Sequence, residues 1–219
     1  MNDCFELLQA AAPQMLAGLG NTLLFALSSM CGGLLLGLLL ALARLSAWRL
    51  VRLPAALYVS LMRGTPLLVQ IFLIYYGLPA IGLELSATVA GILALSLNAA
   101  AYLSESLRGA IAAVSSGQWE AGLSLGLNWR QTLMAVIFPQ ALRIAVPSLS
   151  NTLISLIKDT SLVSVITVTE LMLATKVAIA SSFRPLPLYV AAAAVYWLLS
   201  WCFEMLQRAL ERRLQNAHR

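Results

Sequence analysis

Long apolar runs without a charged residue constrain this chain more than any other feature. No charged residue occurs in 7–43, 64–83, 85–104 or 185–203. A helix needs about 20 apolar residues to cross the hydrocarbon of a bilayer, so each run is long enough to span it. Only 11% of the residues are charged, whereas soluble domains carry about 25%. The sequence predicts an all-α integral membrane protein rather than a soluble domain.

A fifth apolar segment, 144–168, contains the adjacent pair Lys158-Asp159 and is still too long and too apolar for an ordinary loop. Five spans leave no room for a separate soluble domain, so residues 1–219 form a single membrane domain. The N-terminus has Asp3 and Glu6 in place of a basic segment, which argues against a cleaved signal peptide. The predicted spans are 19–43, 54–79, 85–108, 144–168 and 186–206.

The positions of the arginines predict the orientation. Cytoplasmic loops of membrane proteins are enriched in lysine and arginine, and arginines here follow the first, third and fifth predicted spans. By alternation, the Glu84 loop and the predicted loop 170–184 face outward. The prediction is therefore N-out and C-in, and the net charge of +5 does not indicate nucleic-acid binding. The arginines are Arg44, Arg49 and Arg52; Arg108, Arg130 and Arg143; and Arg208, Arg212, Arg213 and Arg219.

A polar interruption at about 117–138 lies between the third and fourth predicted spans. Its Gly122-Leu-Ser124-Leu-Gly126 matches the G-x-S-x-G motif of a hydrolase nucleophile elbow. Such an elbow needs a preceding strand and a histidine base, but the preceding segment is helical in pattern and the only histidine is His218 near the C-terminus. The chain has no G-x-x-x-x-G-K-[ST] loop and no cluster with metal-ligand spacing. We therefore predict no enzyme activity and no cofactor in this chain.

The same interruption predicts two short helices joined by a turn. Trp119, Leu123 and Leu127 recur at helical spacing, and a glycine such as Gly126 can end a helix in the left-handed conformation. Asn128 suits the N-cap of a second short helix, and Pro139 marks its expected end. The elbow could seat its helix in the groove of a partner protein or lie on lipid headgroups, and the residues alone leave both open.

Glu120-Ala121-Gly122, followed by Gly126 and by Val136-x-Phe138-Pro139, resembles the EAA motif of permease subunits of ABC transporters, with Gly122 replacing the second alanine. Further similarity lies in GNTLLFAL (20–27), MRGTPLLVQIFLIYYGLP (62–79), NAAAYLSESLRGAI (98–111), GQWEAG (117–122), FPQALRIAVPSLSN (138–151) and IKDTSLVSVI (157–166). Together these segments resemble the polar amino-acid permeases of bacterial importers. The resemblance implies a five-helix type I importer core in the bacterial cytoplasmic (inner) membrane.

The resemblance also implies partners: a second permease, identical or homologous, a cytoplasmic ATPase that binds ATP and Mg²⁺, and an extracytoplasmic amino-acid binding protein. The elbow would then couple to the ATPase. Gly122 in place of alanine would soften its first helix by roughly 0.5 to 1 kcal/mol. An ion- or proton-coupled secondary transporter is the alternative, although five spans do not divide into repeated halves. The predicted coupling residues are Trp119, Glu120, Ala121, Gly122, Leu123, Gly126, Leu127 and Pro139.

Polar residues inside the spans are the candidates for a substrate path. A charge near mid-membrane costs roughly 2.5 to 3.5 kcal/mol, so Lys158 and Asp159 must face protein or water. Both could meet the charges of an amino acid, or they could form ion pairs between helices. Asn151, Ser155, Lys158 and Ser161 recur on one predicted stripe. The path candidates are Arg63, Thr65, Gln70, Asn98, Asn151, Ser155, Lys158, Asp159, Thr160 and Ser161.

Two further patterns predict packing rather than transport. Gly33-Leu-Leu-Leu-Gly37 permits two helices to approach closely. Glu105 and Arg108, three residues apart on one helix, can form an ion pair with each other.

Overall fold

A computed structural model describes residues 2–216, and every regular element in that part of the chain is helical. Short 3₁₀ and π segments interrupt several helices, namely Leu73–Gly77, Leu78–Ile81, Leu133–Ile137 and Thr160–Ile166. The α-helices are α1 (Asn2–Leu45), α2 (Arg49–Gly64), α3 (Leu67–Phe72), α4 (Ala87–Ala113), α5 (Ser116–Ser124), α6 (Trp129–Thr132), α7 (Phe138–Asp159), α8 (Leu171–Ser182) and α9 (Pro185–Asn216).

Among the described residues, four continuous helical segments are long and apolar enough to cross a membrane: Cys4–Leu45, Ala87–Ala113, Trp129–Ile166 and Pro185–Arg213. A fifth candidate is the bent pair Arg49–Gly64 and Leu67–Ile81, whose two parts meet at 109°. The predicted all-α membrane fold is confirmed, and the helix predicted as the second span is broken rather than straight.

Two helix boundaries differ from the predicted ones, at Pro139 and in segment 170–184. The helix predicted to end at Pro139 instead continues from Trp129 to Ile166. The π segment Leu133–Ile137 precedes the proline, and the Phe138 N–H donates to the Leu133 carbonyl. Pro139 follows at the start of α7, where the helix tolerates its missing N–H. Segment 170–184, predicted as a loop, is mostly helical, because α8 occupies most of it.

Close contact between α1 and α4 forms the largest part of the core. A Cβ built on Gly33 would lie 3.0 Å from the Ala99 Cβ, and one on Gly37 would lie 3.0 Å from the Leu103 Cβ. Two helices that approach this closely leave no room for larger side chains. The predicted packing role of the Gly33–Gly37 pattern therefore agrees with the structure, and α4 is held between α1 and α7 at the centre of the bundle.

Candidate functional site: a polar cavity and a helical elbow

A cavity of about 670 Å³ lies between the α2–α3 break, α4 and α7. Six of the ten predicted path residues line it, from three separate parts of the chain: Arg63, Thr65, Asn98, Asn151, Ser155 and Asp159. Ligand pockets usually measure about 300–1,000 Å³. The size suits a small polar molecule.

The break between α2 and α3 is fixed by hydrogen bonds from buried amides. The Gln70 Nε2 donates to the Met62 carbonyl at 2.8 Å and to the Thr65 Oγ1 at 2.9 Å. The Asn98 Nδ2 donates to the Gln70 Oε1 at 3.0 Å, which links the break to α4. Backbone groups freed at a helix break inside a membrane need such partners. Gln70 therefore lies behind the cavity wall rather than in it.

The α2–α3 break places the positive charge of Arg63 at the cavity. Arg63, in the last turn of α2, is exposed and lines the cavity. Its guanidinium lies 5.5 Å from the ring centroid of Tyr102, another lining residue. A guanidinium over an aromatic ring is stabilised without losing its hydrogen-bond donors. Arg63 can therefore offer N–H groups to an anion in the cavity.

The α7 wall differs from the predicted polar stripe at its C-terminal end. Ser148, Asn151, Ser155 and Asp159 line the cavity on one face of α7. Lys158 instead lines a separate pocket of about 290 Å³, together with Ser161 and residues of α8 and α9. Adjacent helical residues point about 100° apart. Lys158 and Asp159 therefore face different spaces.

Thr160 stands outside both spaces. It is fully buried, and its hydroxyl donates to the Ile157 carbonyl at 2.8 Å. This bond occurs where α7 changes to the 3₁₀ segment Thr160–Ile166. Thr160 thus stabilises the helix transition, and the structure does not bring it to the cavity.

Glu105 forms an ion cluster at the edge of the cavity. Its carboxylate accepts hydrogen bonds from Arg108 on α4, where the Nε–Oε1 distance is 3.1 Å, and from Arg44 on α1. The predicted Glu105–Arg108 pair is present, and Arg44 is a partner that spacing along α4 could not reveal. Glu105 also lines the cavity. The cluster therefore ties α1 to α4 beside the polar space.

The elbow consists of α5, a four-residue connection (125–128) and α6. The Gly126 N–H donates to the Leu123 carbonyl at 3.0 Å, and the Leu127 N–H donates to the Gly122 carbonyl at 3.2 Å. These two bonds, with Gly126 at φ 82°, form a Schellman motif. Asn128 and Gln131 then form a reciprocal capping box at the start of α6. Both local predictions, at Gly126 and Asn128, agree with the structure.

Aromatic and glycine contacts close the two arms of the elbow on each other. The rings of Trp119 and Trp129 stack with centroids 5.6 Å apart. Gly122 is buried, and a Cβ at this position would lie 2.5 Å from the Thr132 Cγ2. Gly122 is therefore required for close packing, which corrects the prediction that it merely softens α5. The Thr132 contact, ten residues away, was missing from the sequence analysis.

The exposed apolar tip of the elbow differs from the predicted face. Trp119 and Leu127 are only partly exposed, and Trp119 packs against the core below. The apolar side chains that protrude are Leu123, Leu125 and Trp129, of which Leu125 is 81% exposed. Glu120, Ala121, Gly126 and Pro139 are also exposed. The tip therefore presents an apolar surface with one acidic side chain from α5.

Glu170 is a buried acid that the sequence analysis did not single out. Its carboxylate caps α8 by accepting from the Met172 and Leu173 N–H groups, each at 2.9 Å, and accepts from the Tyr196 hydroxyl at 2.7 Å. Burial raises the pKa of the Glu170 carboxyl despite these donors. An acid directly before an apolar helix was the available signal. Glu170 ties α8 to α9 and acts outside the cavity.

Comparisons with known proteins agree with this geometry. Residues 33–216 match the family described as binding-protein-dependent transport system inner membrane component. The chain is 44% identical to the probable amino-acid ABC transporter permease protein YckA of Bacillus subtilis, covering 92% of this chain and 89% of that protein. It is 37% identical to the glutamine transport system permease protein GlnP of Escherichia coli, covering 94% of each.

A solved structure shares the fold over nearly the whole chain. The crystal structure of an amino acid ABC transporter with histidines contains a chain that is 37% identical, with a TM-score of 0.88, covering 92% of this chain and 94% of that one. The resemblance stated from the sequence motifs is thereby confirmed. The chain belongs to the family of binding-protein-dependent transport system inner membrane components.

Proposed function

We propose that this chain is the permease subunit of an ATP-driven importer for polar amino acids. The observation that carries the amino-acid assignment is that Arg63 and Asp159 line one cavity of about 670 Å³ together with amide and hydroxyl groups. The relatives include amino-acid, glutamine and arginine permeases, which supports the same substrate class.

The cavity matches the two charges that every free amino acid carries at neutral pH. A guanidinium donates in a fork that fits a carboxylate, so Arg63 holds the substrate carboxylate. Asp159 accepts from the ammonium group. Asn98, Asn151 and Ser155 supply neutral groups to a polar side chain. Arg63 and Asp159 face this polar cavity rather than lipid. The free-energy cost of placing their charges inside the membrane is therefore offset.

Lys158 has a different role under this proposal. No ion pair joins Lys158 or Asp159 to another helix among residues 4–213, whose side chains the structure describes, so the alternative of an interhelical ion pair has no support within that part of the chain. Lys158 faces α8 and α9 rather than the cavity. The substrate therefore meets the aspartate and not the lysine.

The elbow serves as the contact with a separate cytoplasmic ATPase, which binds ATP and Mg²⁺. Leu123, Leu125 and Trp129 form the apolar part of that contact and Glu120 its acidic part. A second permease, identical or homologous, closes the open side of the cavity, and an extracytoplasmic binding protein delivers the amino acid. The orientation that this requires is N-out and C-in.

Uptake by the purified complex in proteoliposomes tests the proposal. Asp159→Asn and Arg63→Gln should each reduce ATP-driven uptake of radiolabelled glutamine, arginine or histidine, whichever the wild type carries, at least tenfold, while assembly and basal ATP hydrolysis persist. Lys158→Gln is the matched control, because it removes one charge from the same turn of α7 but outside the cavity.

Two results would contradict the proposal. Normal uptake by both cavity variants would remove the cavity from the substrate path. Uptake driven by an ion or proton gradient without ATP would favour the secondary transporter instead.

A further inference from the structure

The α2 helix carries an apolar stripe that no other part of the described chain covers. Leu50, Leu53, Leu57 and Leu61 follow one another at spacings of three and four residues, which aligns them along one side of a helix. They are 89%, 60%, 61% and 55% exposed. Ala55 and Val59 on the opposite side are buried against the bundle. The leucines therefore require an apolar partner from outside the chain.

A basic group lies at the beginning of the same helix. Arg49 and Arg52 are exposed and lie three residues apart, and their guanidinium groups have no hydrogen bond or ion pair with the residues whose side chains are described, 4–213. Trp48, directly before them, is 75% exposed. Arg44, the next arginine toward the N-terminus, is in contrast bound to Glu105. Two arginines without protein partners thus adjoin an exposed tryptophan and the leucine stripe.

The dimensions and charges fit one occupant. Leu50 and Leu61 are separated by about 16 Å along the helix axis, which is close to the depth of about 15 Å for the hydrocarbon of one leaflet. Basic residues beside an apolar helix face attract anionic headgroups, and tryptophan favours the headgroup region. We infer that Trp48, Arg49 and Arg52 bind the headgroup of an anionic phospholipid whose acyl chain follows the leucine stripe of α2.

A second copy of this chain fits the same face less well. Two copies in one membrane share the same orientation, so Arg49 and Arg52 of each copy would meet at equal depth. Like charges held close together are unfavourable. A phosphate-bearing lipid supplies the opposite charge instead. The inference concerns a lipid site and does not depend on the proposed substrate.

Native mass spectrometry of the complete permease chain in detergent, titrated with dioleoylphosphatidylglycerol or dioleoylphosphatidylcholine, tests the site. Wild type should prefer the anionic lipid. Arg49→Gln/Arg52→Gln should weaken phosphatidylglycerol binding by roughly 10- to 30-fold, as expected for two lost surface arginines. Arg212→Gln/Arg213→Gln, which removes the same charge from exposed positions of α9, should change it less than twofold.

A lysine variant and a cross-link complete the test. Arg49→Lys/Arg52→Lys should retain most of the binding, since the charge persists, and so separates loss of charge from loss of fold. Equal binding of the two lipids to wild type, or equal losses in the α9 control, would overturn the site. Efficient disulfide formation between copies through Leu57→Cys, with the three native cysteines replaced by serine, would assign the stripe to a second copy instead.

Discussion

Replacing Gly122 by alanine should destabilise the elbow, although alanine is the better helix former. The new Cβ would lie 2.5 Å from the Thr132 Cγ2, 3.0 Å from its Oγ1 and 3.2 Å from its Cβ. Thr132 is fully buried, and its branched side chain has few rotamers to which it can move. The contact therefore cannot be relieved without shifting α6.

The expected cost follows from two opposing effects. Overpacking of a closed site destabilises a protein by about 1 to 3 kcal/mol. Replacing a helical glycine with alanine by itself stabilises the helix by roughly 0.5 to 1 kcal/mol. The net destabilisation of Gly122→Ala is thus up to about 2.5 kcal/mol. Thr132→Ala should relieve most of it, because it removes the clashing methyl group together with a buried hydroxyl that has no hydrogen-bond partner among the described residues.

A double-mutant cycle measures this coupling. The two single variants and the double variant would be compared in thermal unfolding of the purified permease and in affinity for the ATPase. Gly117→Ala is the matched control in the same helix, since its Cβ would meet only the Ser115 Oγ at 3.6 Å, an ordinary contact. Behaviour of Gly122→Ala like that of Gly117→Ala, with no coupling to Thr132, would refute the packing argument.

Other predictions follow from single features. Gly126→Val places a β-branched residue at φ 82°, so stimulation of the ATPase by loaded binding protein should fall severalfold while membrane insertion is unchanged; wild-type stimulation would remove this segment from coupling. Cys4, which is exposed, should react with a membrane-impermeant maleimide from outside intact cells, and a reporter fused after the C-terminus should be cytoplasmic; the reverse pattern would invert the topology. Glu170→Gln places an amide N–H against the N–H and hydroxyl donors that now bind the carboxylate. It should lower the unfolding free energy by about 1 to 3 kcal/mol, which is more than Tyr196→Phe should. An unchanged melting temperature would show that this carboxylate is dispensable.

The parts of the fold that sequence analysis could predict are those set by local chemistry. Four of the five predicted spans follow from charge-free length, because hydrocarbon excludes charges whatever the neighbouring helices are. The turn at Gly126 and the cap at Asn128 follow from backbone preferences of single residues. In both cases the determining interaction lies within a few residues of the chain.

The features that were missed depend on contacts between distant residues. The break of 109° in the predicted second span is held by Gln70, which meets Asn98 on another helix. The buried environment of Gly122 depends on Thr132. The angle between adjacent helical residues already separates Lys158 from Asp159, but the placement of the lysine outside the cavity depends on α8 and α9, which surround it. Periodicity identified polar residues of the cavity and could not tell which wall each one faces.

The broken second span has a consequence for biosynthesis. Arg49–Gly64 and Leu67–Ile81 qualify as a membrane crossing only as a pair, and the amide that links their junction to α4 belongs to Asn98, which is translated later. While the ribosome is still making α4, the junction lacks this partner. We expect the second span to remain loosely inserted until α4 enters the bilayer. A ribosome-stalled chain ending before Asn98 should therefore be far more accessible to protease at Thr65 than a chain long enough for all of α4 to have left the ribosome.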